Sequence, residues 1–375
     1  ARLLERDTGI HMHLSLYSMA TLQDSTDWER LENDVTRADF VFGCMLFGED
    51  HVRPMQRILQ DAPKHVPILF ITSNPALIYC SRIGNLELKP PDENEEPGLI
   101  KRFMQKLRPK KKGKSEGYRQ TALIKNLTKL MKYVPGKMRD LHTFISSHDY
   151  WLHSSPENLE RMMMMFISRY VPGYDKRVQV LSAIEYPDQA IYHPDAPEPF
   201  PDIAAYKAWR KSRGMHLNGD INGSVGLLTQ RAIILSGNTD HLDALIRDLE
   251  AQGLEARTAY SAMLDFRPAM EHYFNGNGQL PHVDALLNTL GFPLVGGPAG
   301  SRPEQAVESL KALDTGYFDM IPLGFQRIED WRSSDVGLNP MQVAMNIALP
   351  EIDGITEPVI FGGPTLTGEK FIANT

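Results

Sequence analysis

Few residue patterns in this sequence do chemistry by spacing alone, and the most suggestive are near-misses. Gly113-Lys114-Ser115 has the ending of a phosphate-binding loop, but Arg108 stands where the loop needs its first glycine. That tripeptide also sits in a charged stretch and not between a strand and a helix, so a linker is the better reading. The glycines of 223–237 do not form a G-x-G-x-x-G run, which leaves a dinucleotide site unsupported. Neither H-E-x-x-H nor G-x-S-x-G occurs. The two cysteines, Cys44 and Cys80, lie in or beside apolar runs without metal-ligand neighbours, as buried reduced thiols do. Several polar residues and one glycine pair have local structural readings of their own. Asp265 follows a strand and would cap the turn to Phe266. Glu271 and His272 would be solvated helix residues. Glu351 and Asp353 lie in a Pro/Gly-bounded turn, where Asp commonly bonds the local backbone. Glu357 precedes a proline, which suits an exposed position. Gly296-Gly297 suits either close backbone approach to a ligand or tight packing.

The elements that must position these residues follow from composition and periodicity. The 375 residues exceed one ordinary core and predict two or three domains by length. With 42% hydrophobic and 23% charged residues the composition is that of a globular protein. The net charge of −7 excludes a global basic field for nucleic acid. No apolar run reaches the ~18 residues of a membrane span. The sequence opens without Met or a signal region and stops at Ile-Ala-Asn-Thr, as a fragment would.

The expected fold class is α/β, with two parallel-sheet α/β units joined by a mainly helical segment. Residues 1–88 read as an N-terminal flavodoxin-like α/β domain. Its strands are expected at 11–16, 39–47 and 66–72, its helices at 24–37 and 49–59, with a further helix opening at Ser73-Asn74-Pro75. Residues 89–218 read as helices at about 118–132, 137–152 and 157–170, with an acidic connector at 90–97 and a basic one at 108–114. Ser155 and Pro156 open the last helix, and the run Met162–Met165 reads as adaptable core. The proline-rich stretch 171–201 reads as an extended connector. From 219 to 375 a second α/β domain follows: strand 224–230, helix 240–252 ended by Gly253, strand 254–260. Further strands are expected at 292–295, 318–323 and 358–361, alternating with helices at about 282–290, 303–313 and 339–348.

Within that second region lies a consistent series of motifs. Val225-Gly-Leu-Leu-Thr-Gln-Arg231, Ser236-Gly-Asn-Thr239 and Leu249-Glu-Ala-Gln-Gly253 come first. Leu264-Asp-Phe266, Glu271-His-Tyr-Phe274, Leu294-Val-Gly-Gly-Pro-Ala299, Leu323-Gly-Phe-Gln326 and Glu329-Asp-Trp331 follow. Gly337-Leu-Asn-Pro-Met-Gln-Val343, Ala348-Leu-Pro-Glu-Ile-Asp-Gly354 and Glu357-Pro358 complete it, with Tyr150-Trp-Leu-His-Ser-Ser-Pro-Glu-Asn-Leu159 and Tyr170-Val-Pro172 upstream. In this order and content the chain resembles the porphyrin-binding large subunit of the magnesium chelatase family, well over about 140–375 and more loosely over the first 90 residues.

The resemblance implies insertion of Mg²⁺ into protoporphyrin IX in chlorophyll and bacteriochlorophyll synthesis. It also implies ATP hydrolysis by two AAA+-type partner subunits, which agrees with the missing phosphate loop. Mg²⁺ sheds water reluctantly, and two pyrrole protons must leave as it enters the ring. A carboxylate or His near the ring would accept a proton, and carboxylates would hold the partly dehydrated ion. On the resemblance, the catalytic candidates are Glu271, His272, Glu351, Asp353 and Glu357, with Glu329 beside them. Porphyrin contacts are expected from Arg231, Asp265, Phe266, Gly296, Gly297, Gln326 and Arg327. No metal ligand set is legible. The alternatives are a cobalt-inserting chelatase subunit acting on a corrin-type ring and a non-catalytic tetrapyrrole carrier or sensor. A nucleotide-sugar transferase is weaker still. The implied location is bacterial cytoplasm, at most peripheral to a membrane, or a plastid in a eukaryote.

Overall fold

The computed structural model describes residues 5–90, 139–215, 222–275, 282–365 and 371–373, apart from 7, 20, 23, 47, 73, 176 and 299. The expected helix at 118–132 and the 108–115 stretch lie outside the described residues. The chain divides between Glu185 and Tyr186 into two units, where sequence reading put boundaries at 88 and 218.

In the first unit, α1 (Ser25–Arg37) starts at a capping box: Asp24 accepts from the Asp27 N–H at 3.0 Å, and Asp27 accepts from the Asp24 N–H. Leu31 and Val35, one turn apart, are its buried face. Then come β1 (Val41–Cys44), α2 (Glu49–Asp61), β2 (Ile68–Ile71), α3 (Pro75–Ile78), β3 (Arg82–Ile83) and β4 (Leu86–Glu87). The sheet runs β1-β2-β3-β4, parallel at β1/β2 and antiparallel beyond. Among the described residues this sheet therefore departs from the flavodoxin-like parallel arrangement expected for residues 1–88. Nor do residues 11–16 form the expected strand. Leu16 is 80% exposed, so the alternating pattern there has no sheet to bury it. Two helices, α4 (Arg139–Leu152) and α5 (Pro156–Tyr170), belong to this unit. Phe144, Met162, Met165 and Phe166 pack with Leu69 and Ile83 in one core, as the reading of the methionine run requires. Ser155 caps α5 by accepting from the Asn158 N–H.

One side chain holds the end of α2. The buried Arg82 guanidinium donates to the carbonyls of Leu59, Ala62, Pro63 and Val66 at 2.8–3.3 Å. These include carbonyls that a helix C-terminus leaves without partners.

The second unit is built on a seven-stranded sheet. Its elements are β5 (Gln189–Tyr192), α6 (Ile203–Ser212), β6 (Gly223–Gln230), α7 (Arg231–Ser236), α8 (Asp240–Ala251), β7 (Leu254–Ser261) and α9 (Arg267–Tyr273). They continue with β8 (Ala285–Asn288), α10 (Pro303–Leu313), β9 (Gly316–Pro322), α11 (Ile328–Arg332), α12 (Pro340–Gln342), a π-helical stretch Val343–Ala348, α13 (Leu349–Asp353), β10 (Thr356–Pro364) and β11 (Phe371–Ala373). Spatial order is β11-β10-β9-β8-β6-β7-β5, with β7, β6, β8, β9 and β10 parallel and an antiparallel strand at each edge. The five parallel strands thus have the 2-1-3-4-5 order of a flavodoxin-like sheet, with its switch point between β6 and β8.

Two readings of this region are corrected. Residues 282–290, expected as a helix, contain the central strand β8, and 292–295, expected as a strand, form the loop after it. A short apolar run such as Ala285-Leu-Leu-Asn288 cannot be told from a helix segment by periodicity. The 171–201 connector contains β5, whose register with β7 pairs Gln189 with Ser261 and Tyr192 with Thr258.

Replacing Arg82 by Met is expected to lower unfolding free energy by about 3 kcal/mol, because four carbonyls lose a charged donor inside the protein. Arg82→Lys should recover only part, since one ammonium cannot span all four. Urea unfolding midpoints of the three proteins measure this, and equal midpoints would dismiss the clamp.

Candidate functional site

Parallel α/β sheets present their ligand crevice at the carboxyl ends of the strands. Here the register sets Leu228 of β6, Asn288 of β8 and Asp319 of β9 side by side near those ends. Asn288 shapes the loop that follows it. Its Oδ1 accepts from the Leu290 N–H at 2.9 Å, and its Nδ2 donates to the Phe292 carbonyl at 3.2 Å and the Tyr317 hydroxyl at 2.9 Å.

The loop then returns against the loop after β7. Phe266 N–H donates to the Leu294 carbonyl at 3.2 Å, Gly296 N–H to the Leu264 carbonyl at 2.6 Å, and Asp265 bridges Val295 in antiparallel fashion. Gly296 has φ +88°, and a Cβ there would lie 1.9 Å from the Gly300 carbonyl oxygen. Gly297 has φ +60°, with its Cβ position 2.9 Å from Leu264 Cδ1. Both glycines serve an approach of the chain to itself.

Asp353 joins this junction from the other side: its Oδ2 accepts from the Leu294 N–H at 2.8 Å, while its buried Oδ1 has no partner. Burial raises its pKa above the ordinary carboxyl range, although the Leu294 N–H works in the opposite direction. The helical run that carries Asp353, 340–353, is π-helical through Val343–Ala348, and π turns concentrate at functional positions. Asn346 Nδ2 ties this run to the Gly291 carbonyl at 2.9 Å, and Gln342 Oε1 accepts from the Phe325 N–H at 3.1 Å.

Asp319 is the residue that sequence reading missed. It is 1% exposed, and among the described residues neither carboxylate oxygen has a hydrogen-bond partner. Burial, followed by the Glu351 charge, pushes it up to about 7. The signal was an acid inside the otherwise apolar run 318–323. Tyr317, on the same face, is pushed well above its ordinary value by burial and then by the charges of Asp353 and Asp319. A carboxyl that titrates near neutrality beside a second acid is suited to proton exchange.

The other expected residues are distributed as follows. Asp265 is half-exposed and pairs with Arg267 through two contacts, at 2.7 and 2.9 Å. Phe266 lies in the core beside Phe292. Glu351 is exposed on α13, two residues from Asp353. The structure therefore brings together Asp265, Phe266, Gly296, Gly297 and Asp353, with Glu351 beside them. Glu271 and His272 are exposed on α9, which rests on β5 and β7, whereas α13 rests on α10. Glu357 is exposed, with φ +53°, where the β10/β9 register shifts. Gln326 is spent on its own loop, accepting from the Asn339 N–H and donating to the Gly337 carbonyl. Glu329 is half-buried with Oε2 unpartnered.

The two arginines differ. Arg231, expected as a surface anchor, is 2% exposed and donates to the carbonyls of Tyr186 and Pro187 and to Asp188 at 3.0–3.2 Å. Its charge is committed inside the protein. Arg327 is half-buried at the start of α11, and among the described residues its guanidinium has no partner. Among the described residues, no three His, Cys, Asp or Glu side chains are placed to hold a metal ion. Nor is any helix among them long and apolar enough to cross a membrane.

Asp319 makes stability depend on pH with a defined sign. Its folded value, about 7, exceeds the ordinary 3.8, so the folded chain binds more protons than the unfolded chain between those values. Its contribution therefore falls as pH rises through that window, by up to about 4 kcal/mol. Asp319→Asn removes this titration. The variant's melting temperature should gain on the wild type steadily from about pH 4 to about pH 7 and level off above it, and a constant difference across that window would contradict it.

Comparison with known proteins places this geometry in a family. The family model described as CobN/Magnesium Chelatase matches residues 148–373, and one described as Domain of unknown function (DUF3479) matches residues 1–145. The magnesium-chelatase H subunit of Rhodobacter capsulatus is 33% identical over 331 residues, covering 88% of this chain and 26% of that protein. The chloroplastic magnesium-chelatase ChlH subunit of Oryza sativa subsp. indica is 30% identical, covering 92% of this chain and 25% of that protein. Among solved structures, the catalytic subunit of cobaltochelatase from Mycobacterium tuberculosis is 18% identical with a TM-score of 0.43, covering 94% of this chain and 23% of that one. The chain spans about a quarter of the length of these curated relatives. With the first family model covering more than half of its residues, the chain belongs to the CobN/Magnesium Chelatase family.

Proposed function

We propose that this chain is part of the porphyrin-binding large subunit of a magnesium chelatase. The complete subunit inserts Mg²⁺ into protoporphyrin IX for chlorophyll-type pigments, in a bacterial cytoplasm or a plastid, while two AAA+-type partner subunits hydrolyse ATP. One observation carries the reading. Relatives named as magnesium-chelatase subunits align over 88% and 92% of the chain, and the resembling segments 264–266, 294–297 and 349–353 fold against one another.

In this reading the substrates are Mg²⁺ and a planar ring with two propionates, and the chain's residues divide the work. Arg327, with its guanidinium uncommitted, binds a propionate as a charged donor. Glu351, exposed beside the loop junction, accepts a pyrrole proton at its carboxylate. Asp353 fixes the 294–297 loop through the Leu294 N–H, so the turn keeps its shape as substrate enters. Arg231 and Phe266 support this region from within and touch no ligand.

The test uses the complete subunit, with fluorescence-quenching titration of a soluble free-base porphyrin followed by steady-state chelation with both ATPase partners. Arg327→Ala should weaken binding by about 1.5–3 kcal/mol. Glu351→Gln should leave binding intact and slow chelation about 10²- to 10⁴-fold. Unchanged affinity and rate in both would make these residues scaffold. Binding without turnover by the wild type would favour a carrier or sensor, and turnover only with Co²⁺ and a corrin-type ring would favour the cobalt-inserting alternative.

A further inference from the structure

Asp319 is buried on β9, within reach of the Glu351 charge on the segment that carries the proposed proton acceptor, and the local hydrogen bonding is unbalanced. Among the described residues, both Asp319 oxygens, Asp353 Oδ1 and Asn346 Oδ1 are buried acceptors without a donor. They belong to one seam. Asn346 Nδ2 lies 2.6 Å from the Cβ position of Gly291, where Pro322 of β9 also packs, and Tyr317 of β9 feels the charges of both Asp319 and Asp353. Gln342 Nε2, at the start of the segment, is a buried donor without a partner, while its Oε1 is engaged by Phe325. A seam that holds an excess of acceptors stays closed when one of them carries a proton and becomes a donor. Ionised, Asp319 would instead be an uncompensated charge facing other acids.

We propose that Asp319 is a positioning residue for Glu351: protonated, its carboxyl holds the 340–353 segment on the sheet, and its ionisation releases that segment and withdraws Glu351 from the substrate. The proton leaves to solvent, and no covalent bond changes. The titratable groups around Asp319 are Tyr317 on its own strand and Glu351 on the 340–353 segment, with Asp353 acting on Tyr317, while β8 places the neutral Asn288 beside it. Glu357 of β10 is exposed. Burial and the Glu351 charge raise Asp319 to about 7, which puts the transition in the neutral range. The inference rests on the role given above to Glu351.

The experiment uses the complete subunit and follows amide hydrogen exchange in peptides covering 340–353 at about pH 6 and about pH 8.5, corrected for intrinsic exchange. In the wild type, protection should fall about tenfold or more between the two, as expected for ionisation of one buried group. In Asp319→Asn it should stay level, and Asp319→Ser supplies the same comparison if the amide variant does not fold. In parallel, the alkaline fall in kcat for chelation should move to higher pH in the variant, with porphyrin KM little changed. Constant wild-type protection, or an equal loss in the variant, would overturn the proposal. Absence of wild-type chelation at any pH would instead strike the proposed function, leaving the exchange result to decide the role of Asp319 in docking.

Discussion

The second unit depends on a pair of charges in its interior. Glu255 and Arg257, both on β7 and almost wholly out of contact with water, meet at 2.8 Å. Removing two ions from water costs several kcal/mol each, and their attraction offsets this only when the remaining hydrogen-bonding atoms also find partners. They do: Arg257 donates to the Tyr273 carbonyl, and the Tyr206 hydroxyl donates to Glu255. Arg210 extends the network to Glu250, which His193 also reaches. Burial pushes Glu250 upward, but hydrogen bonds from His193 and Arg210 outweigh it and hold the carboxyl below its ordinary range. The network joins α6, α8 and α9 to β7 and lies toward the amino ends of the strands, so the carboxyl ends are left to carry chemistry.

Buried guanidinium groups recur as fasteners. Arg82 collects four carbonyls at and just beyond the end of α2, Arg231 holds the chain just before β5, and Arg257 holds the end of α9. A planar cation with five donors suits this use, since several carbonyls can share one charge whose desolvation is met once. The carboxyl ends show the opposite balance, with acceptors in excess around Asp319, Asn346 and Asp353. The guanidinium groups of the one region spend most of their donors, although Arg210 Nε is buried without a partner, while the other region carries a chemical demand that a proton can meet.

What could be read from the sequence follows the same physics. The β6–α8–β7 unit was legible because its helix is long, amphipathic and closed by Gly253 at φ +76°, and its strands are apolar runs. Ser155 and Pro156 marked α5 for similarly local reasons. Strand β8 was not legible, because four residues carry no decisive period, and β5 was hidden among prolines because its partner is distant in sequence. At the site, the motifs 264–266 and 294–297 could be listed but not joined, since their contact is made by backbone atoms. Arg231 looked like an anchor because charge is visible in a sequence and burial is not. Asp319 was visible and passed over, because a single acid in an apolar strand means little until both its oxygens are known to be unpartnered.

The placement of β5 has a consequence for how the chain assembles. β6 and β7 are neighbours both in sequence and in the sheet, so their pairing closes a short connection that holds α7 and α8. β5 precedes both but pairs only with β7, which makes it the first strand of this sheet to be synthesised and one that must wait for its neighbour. Until then its apolar Ala190 and Ile191 need cover. Ile191 and Phe200 exchange both backbone hydrogen bonds, at 2.8 Å each, a local closure that depends on no later part of the chain. A nascent chain can therefore close the outer edge of β5 early, while the edge that β7 pairs stays open until that strand is made.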